Sequence, residues 1–222
     1  MGDVSALDAA LVVERAAAVR ARLEAAGGDA AAITLVAVTK GFGPEVAVAA
    51  AAAGLDDLGE NYAQEVLPKV AAVAEAGQAP RWHFLGNLQR NKVRHLAPHI
   101  ALWQSVDRDA LGAEIAKRAP GAAVLVQVNL SGEEHKGGCA RDDAAPLVEA
   151  LVARGLDVRG LMGVGPAGDP EAARPGFRWL RAEVERLGLT VCSMGMSADL
   201  EVAVQEGTTM VRVGTGLFGP RR

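Results

Sequence analysis

Cysteine is almost absent from this sequence. There are two, Cys139 and Cys192, far apart and without a CxxC spacing. That argues against a disulfide framework and for a reducing compartment in which both are ordinary thiols. Lysine and arginine form no stripe, and the net charge is −4, which argues against nucleic acid as the main partner. No apolar stretch reaches the roughly 18 residues that a membrane span needs. The N-terminus lacks the basic, apolar and cleavage regions of a signal peptide, so a cytoplasmic location is expected. The four histidines show no ligand spacing, so no metal site is expected. No linker rich in Pro, Gly or Ser divides the chain, and nothing repeats beyond an alternation of strand and helix.

What is present is the composition of a globular α/β protein. Half of the 222 residues are hydrophobic and 23% are charged. A chain of this length suits one domain spanning residues 1–222 and buries roughly 70% of its unfolded surface. A helix-forming run from Ser5 to Ala26 stops at Gly27-Gly28. Short apolar, β-branched runs then alternate with Ala- and Glu-rich stretches. The expected strands are Ile33–Thr39, Leu55–Gly59, Arg81–Leu85, Ile100–Val106, Ala123–Leu130, Val158–Val164, Thr190–Ser193 and Met210–Gly214. The expected helices between them are Pro44–Ala53, Tyr62–Ala76, Leu88–Leu96, Asp109–Arg118, Asp142–Arg154, Pro170–Leu187 and Ala198–Glu206. Eight strands in this order predict a closed (β/α)8 TIM barrel with an extra N-terminal helix. A doubly wound open sheet is the competing architecture.

Strand alternation aims the side chains. In Met210–Gly214, Val211 and Val213 share one face and should pack on the outer helices, which turns Arg212 into the barrel. The same logic turns Gln127 and Asn129 inward. Polar residues near the C-terminal strand ends are where barrel sites are built. Lys40 ends the first strand at that mouth, where partial desolvation favours an unprotonated amine able to attack an aldehyde. The plainer reading is a solvated strand-end lysine. Ser197, the helix start after it, and Gly214-Thr215-Gly216 follow strands seven and eight, a common phosphate position. The plainer reading is a helix N-cap at Ser197 and a glycine turn. Arg212 is either a structural ion pair or a partner for a ligand's ring nitrogen or phosphate. His83 in an apolar strand is most simply a satisfied core residue, Asn61 a helix N-cap, and Met162 core packing. Lys136 reads as a loop lysine that could offer a second amine near the mouth.

Six ordered blocks carry a resemblance. They are Val-Ala-Val-Thr-Lys at 36–40, Gly-Glu-Asn-Tyr-Ala-Gln-Glu at 59–65 and Trp-His-Phe-Leu-Gly-Asn-Leu-Gln-Arg-Asn-Lys at 82–92. Gly-Leu-Met-Gly at 160–163, Ser-Met-Gly-Met-Ser-Ala-Asp at 193–199 and Val-Arg-Val-Gly-Thr-Gly-Leu-Phe-Gly at 211–219 complete the set. Together they resemble the YggS/PROSC family of pyridoxal phosphate homeostasis proteins from about Ile33 to Gly219. The resemblance implies an alanine-racemase-like barrel without that enzyme's second β-domain. It implies pyridoxal 5′-phosphate as cofactor, held as a Schiff base on Lys40, with phosphate contacts from Ser197, Gly214 and Thr215. Arg212 would face the pyridine nitrogen, and Asn61, His83 and Met162 would line the pocket. Two departures stand out: Cys192 where the family often has Leu, and a short C-terminus after Gly219. Neither falls on an implied cofactor contact.

The residues also weigh carrier against enzyme. An acidic partner would keep the pyridine nitrogen protonated and make the ring an electron sink. Arg212 cannot readily supply that proton, since an ordinary guanidinium has a pKa above about 12. That disfavours transamination and decarboxylation and still allows racemisation. Two-base racemisation needs a second base, and Tyr62 is the only tyrosine. The expected function is therefore a monomeric, non-catalytic carrier that buffers intracellular pyridoxal phosphate and supplies it, with consequences for amino-acid homeostasis. The alternative is a weak amino-acid racemase or related lyase. A third reading is a module that hands the cofactor to dependent apoenzymes by contact.

Overall fold

The computed structural model describes residues 8–132 and 137–220. Eight parallel strands close into a barrel in sequence order, β1 pairing with both β2 and β8. They are β1 (Thr34–Val38), β2 (Asp57–Glu60), β3 (Arg81–Phe84), β4 (Ile100–Val106), β5 (Ala123–Val128), β6 (Asp157–Gly163), β7 (Val191–Ser193) and β8 (Met210–Val213). Closure decides between the two architectures the sequence left open. The helices are α1 (Ala9–Ala25), α2 (Pro44–Ala52), α3 (Ala63–Glu75), α4 (Arg90–Leu96), α5 (Asp109–Arg118), α6 (Ala144–Ala153), α7 (Arg174–Arg186), α8 (Leu200–Gln205) and α9 (Thr215–Phe218).

The boundaries follow local chemistry. Asp8 caps α1 by accepting the Ala10 N–H at 3.2 Å, so the helix starts later than the Ser5 expected; residues 1–7 lie outside the described ones. Its buried residues Val12, Ala16, Val19 and Leu23 form one stripe at helical spacing. The stretch expected as one helix from Ala198 begins only at Leu200. Gly214-Thr215-Gly216, whose plainer reading is a glycine turn, instead leads into the one-turn helix α9 over Thr215–Phe218.

Alternation along the strands builds two cores. Val124, Val126, Val128, Val211 and Val213 belong to the large apolar cluster between strands and helices, as their spacing requires. Val36, Leu102, Ala123, Leu125, Met162 and Met210 form a second, smaller cluster inside the barrel. Inward positions two apart along a strand occupy successive layers. Val36, His83, Leu125 and Met210 lie one layer below Val38, Leu85, Gln127 and Arg212, and these last four line a cavity at the C-terminal mouth.

Candidate cofactor site

That cavity has a volume of about 550 Å³. Lys40, partly buried, stands on its wall in the turn after β1. The turn is made by Gly41, whose φ of +73° lies in the left-handed region. A buried charge cluster fixes the backbone on both sides of Lys40. The Lys69 ammonium, 1% exposed, donates to the Thr39 carbonyl at 2.8 Å, to Glu60 Oε2 at 2.5 Å and to Glu65 Oε2 at 2.7 Å. All three of its protons are used. Glu65 in turn accepts the Gly41 N–H at 3.0 Å. Burial pushes the Glu65 carboxyl up, but the bonds from Lys69 and Gly41 hold it below the usual range. Glu60 Oε1 accepts the N–H groups of Asn61 and Tyr62 at 2.6 and 2.9 Å. One ammonium and two carboxylates thus tie the Lys40 turn to the Asn61 loop.

The adjoining wall is made by the segments after β7 and β8, since β8 pairs with β1. Ser197 Oγ accepts the Gly216 N–H at 3.2 Å and lies 3.2 Å from Thr215 Oγ1. Ser197 is therefore not the N-cap of α8; Asp199 holds that place. The glycines are needed for closeness. A Cβ on Gly214 would come 3.1 Å from the Val38 carbonyl oxygen. One on Gly216 would come 2.9 Å from Val213 Cγ1 and 3.3 Å from Ser197 Oγ. From outside, Arg22 of α1 donates to the Ser197 carbonyl at 3.0 Å and forks onto Glu201 at 2.7 and 2.9 Å.

Arg212 forms the floor. It donates to Ser193 Oγ at 2.6 Å and to the Gly163 carbonyl at 2.8 Å. Both partners are neutral, and among the described residues it forms no ion pair, so the ion-pair reading of Arg212 does not hold. Burial pulls its guanidinium down to about 10, lower than the sequence argument assumed and still cationic near neutral pH.

Seven of the eight residues singled out in the sequence meet on this cavity: Lys40, Asn61, Met162, Ser197, Arg212, Gly214 and Thr215. His83 does not reach its wall. Leu85 takes the mouth layer on β3, and His83 sits one layer deeper, bonded to Asp57 and Gln104. Asn61 is not a helix cap, since Tyr62 holds that position before α3. Asn129 turns its Oδ1 to the N–H groups of Ser131 and Gly132 at 3.2 and 3.0 Å, shaping a loop and not the cavity. Lys136 lies outside the described residues. Sequence reasoning passed over Lys69 and Glu60. The signal available was the i,i+4 spacing of Glu65 and Lys69 beside Glu60 in the 59–65 block. Burial raises both thiols, Cys139 to about 11 and Cys192 to about 12, so neither is a ready nucleophile. Among the described residues no cluster could hold a metal ion, and no helix is long and apolar enough to cross a membrane.

A closed parallel barrel with Lys40, the Ser197 and Gly214–Thr215 turns and a buried guanidinium at its mouth is an arrangement that comparison with known proteins places in a class. The chain belongs to the alanine racemase, N-terminal domain, family, which matches residues 15–222. Within it, the chain is 43% identical over 219 residues to the pyridoxal phosphate homeostasis protein of Pseudomonas aeruginosa, covering 95% of this chain and 94% of that one. The structure of PipY from Synechococcus elongatus with PLP bound superposes with a TM-score of 0.81 at 33% identity, covering 94% of this chain and all of that one. Alanine racemase of Clostridium difficile shares the fold alone, with a TM-score of 0.72 at 14% identity over 92% of this chain and 56% of the enzyme.

Proposed function

We propose that this protein is a pyridoxal 5′-phosphate carrier that holds the cofactor covalently through the Lys40 amine and keeps it sequestered yet available to the cell. The whole chain acts as one cofactor-binding barrel. The observation that carries the reading is the meeting of three complementary groups on one cavity. These are the Lys40 amine, the Ser197–Gly214–Thr215 cradle and the Arg212 guanidinium. Their chemistry fits a phosphorylated pyridine aldehyde. The cradle is a close-approach surface for an oxyanion, and Arg212 can donate to a ring nitrogen's lone pair, with no carboxylate among the described residues bonded to it. When bound, the cofactor supplies an electrophilic carbonyl carbon for the lysine. The relative's name and the bound PLP in PipY agree with this assignment.

The site favours holding over turnover. Tyr62, the sole tyrosine, is 43% exposed and lines a neighbouring recess with Gln64, Asn87 and Lys92, not the Lys40 cavity. The one tyrosine that could serve racemisation as a second base is thus not on the cavity that Lys40 lines. The protein acts as a monomer in the cytoplasm and delivers the cofactor to dependent apoenzymes. The test is an absorbance spectrum of the protein loaded with pyridoxal phosphate, before and after borohydride, with peptide mapping of the fixed label. Label on Lys40 is expected. A colourless protein, or label confined to another lysine such as Lys136, sinks the reading. Sustained racemisation of alanine, serine or threonine that is lost in Lys40→Ala would replace the carrier with an enzyme.

A further inference from the structure

Below the cavity, five polar side chains cross the barrel interior in single file: Arg212, Ser193, Gln104, His83 and Asp57. None is more than 6% exposed. Arg212 Nη1 lies 2.6 Å from Ser193 Oγ. Ser193 Oγ lies 2.7 Å from Gln104 Oε1. Gln104 Nε2 lies 2.7 Å from His83 Nδ1, and His83 Nε2 lies 2.9 Å from Asp57 Oδ1. At the far end of the barrel Arg81 forks onto Asp57 at 2.7 and 2.6 Å.

The atoms in contact give the protons of this file one consistent direction. A guanidinium only donates, so Ser193 Oγ accepts from Arg212, and with Gln104 Oε1 on its other side it gives its single O–H to that oxygen. The Gln104 amide turns its oxygen to Ser193 and its nitrogen to His83. That nitrogen only donates, and its second hydrogen meets Met210 Sδ at 3.2 Å. His83 Nδ1 is therefore bare, and the ring proton sits on Nε2 and goes to the Asp57 carboxylate. Burial pushes Asp57 up, yet the bonds from His83 and Arg81 hold it at about 2, so it is anionic. All four bonds thus point one way, from a cation at the cavity floor to an anion near the barrel's opposite end. The neighbours of the file in the barrel are apolar, among them Val36, Leu102, Leu125 and Met210. An apolar layer would fill that space with no polar group to satisfy.

We infer that Asp57, His83, Gln104 and Ser193 are positioning residues of the cofactor site: a one-way hydrogen-bond relay that sets the direction of Arg212 from across the barrel. Asp199 beyond β7 supports its charge from outside the file. The relay lets Arg212 stay buried with no carboxylate in contact, presenting donors alone to whatever lies above it. The part of this inference that concerns the cofactor rests on the carrier reading; the proton direction does not.

The two parts are tested separately. In protein without cofactor, nitrogen-15 spectra of the histidine rings should show His83 as the Nε2–H tautomer facing Asp57, with a bare Nδ1 whose resonance moves in Gln104→Leu as it loses the hydrogen bond it accepts. An Nδ1–H ring in the unaltered protein overturns the relay. In protein loaded with pyridoxal phosphate, Asp57→Asn keeps the shape and removes the terminal charge. The pH midpoint of the visible band should shift, and cofactor release should quicken by about tenfold, the effect of one charge-assisted buried bond. The same substitution placed on Arg212→Met should change neither. Equal effects in both backgrounds, or none in the first, would mean the file is only core structure. Ser193→Ala, which deletes the oxygen that Arg212 addresses, gives the same readouts if Asp57→Asn does not fold. Failure of the unaltered protein to form a visible band would count against the carrier reading alone, because the ring tautomer would still stand or fall by itself.

Discussion

Lys69 shows how one residue can control another it never touches. Its ammonium is enclosed by Thr39, Glu60 and Glu65, and Glu60 is itself fully buried. Removing one partner of such a cluster leaves an uncompensated charge, at a cost of about 3–5 kcal/mol. Lys69→Met should therefore lower the urea midpoint sharply. It should also slow covalent loading of Lys40 in whatever protein remains folded, because both flanks of that turn come loose. Unchanged stability with normal loading would show the cluster to be dispensable. Asp57 makes a second prediction at this scale. Its pKa falls from 3.8 to about 2 on folding, a depressed carboxylate, so its contribution is present above the unfolded value and is lost as the pH falls through the folded one. A shift of that size corresponds to about 2 kcal/mol. The stability difference between the natural chain and Asp57→Asn should be constant above about pH 4 and close toward pH 2. A gap that persists into strong acid would show that the carboxylate's charge is not what matters.

At the scale of elements, the cradle after β7 and β8 depends on α1. Arg22 holds the Ser197 carbonyl and Glu201, and Arg15 donates to the Leu217 carbonyl at 3.1 Å. The N-terminal helix is thus a brace applied from outside to the segments that face the cavity. The Arg22–Glu201 pair is itself half-exposed and contributes little to global stability. Arg22→Ala should leave the melting temperature nearly unchanged and weaken retention of pyridoxal phosphate. Gly216→Ala acts on the same cradle from within, since its new methyl would press on Val213 and Ser197. Both changes should spare binding of pyridoxal, which lacks the phosphate. Equal losses for the two aldehydes would detach the cradle from phosphate recognition.

For the molecule as a whole, buried polar side chains among the described residues face the cavity, one another or the backbone, the Trp103 indole N–H being left without a partner. The apolar surface between strands and helices is continuous. A ligand that binds only the folded barrel must raise its stability by mass action, by about 2.7 kcal/mol at one hundred times its dissociation constant. Saturating pyridoxal phosphate should raise the melting temperature of the natural protein, and by much less in Lys40→Ala. A rise of the same size in both would place the binding energy elsewhere.

The sequence by itself determined the alternation of strand and helix, because β-branched runs and Ala-rich stretches carry local signals within a few residues. It also settled which way Arg212 and the valines beside it face, since period-two alternation needs no knowledge of the partner strand. Strand ends marked Lys40, Ser197 and the Gly214–Thr215 turn for the same reason. Only the tertiary structure decided that the sheet closes, because closure depends on β1 meeting β8 across the length of the chain. It alone decided depth as well. His83 reads from its own strand as a core residue and by the family resemblance as a pocket wall; the fold sets it one layer below that wall, where Gln104 and Asp57 from other strands complete its bonds. The Lys69 cluster and the relay under Arg212 stayed hidden for one physical cause. A buried charge or hydroxyl is explained by its partners, and those partners are gathered by the fold from segments that are distant in the chain.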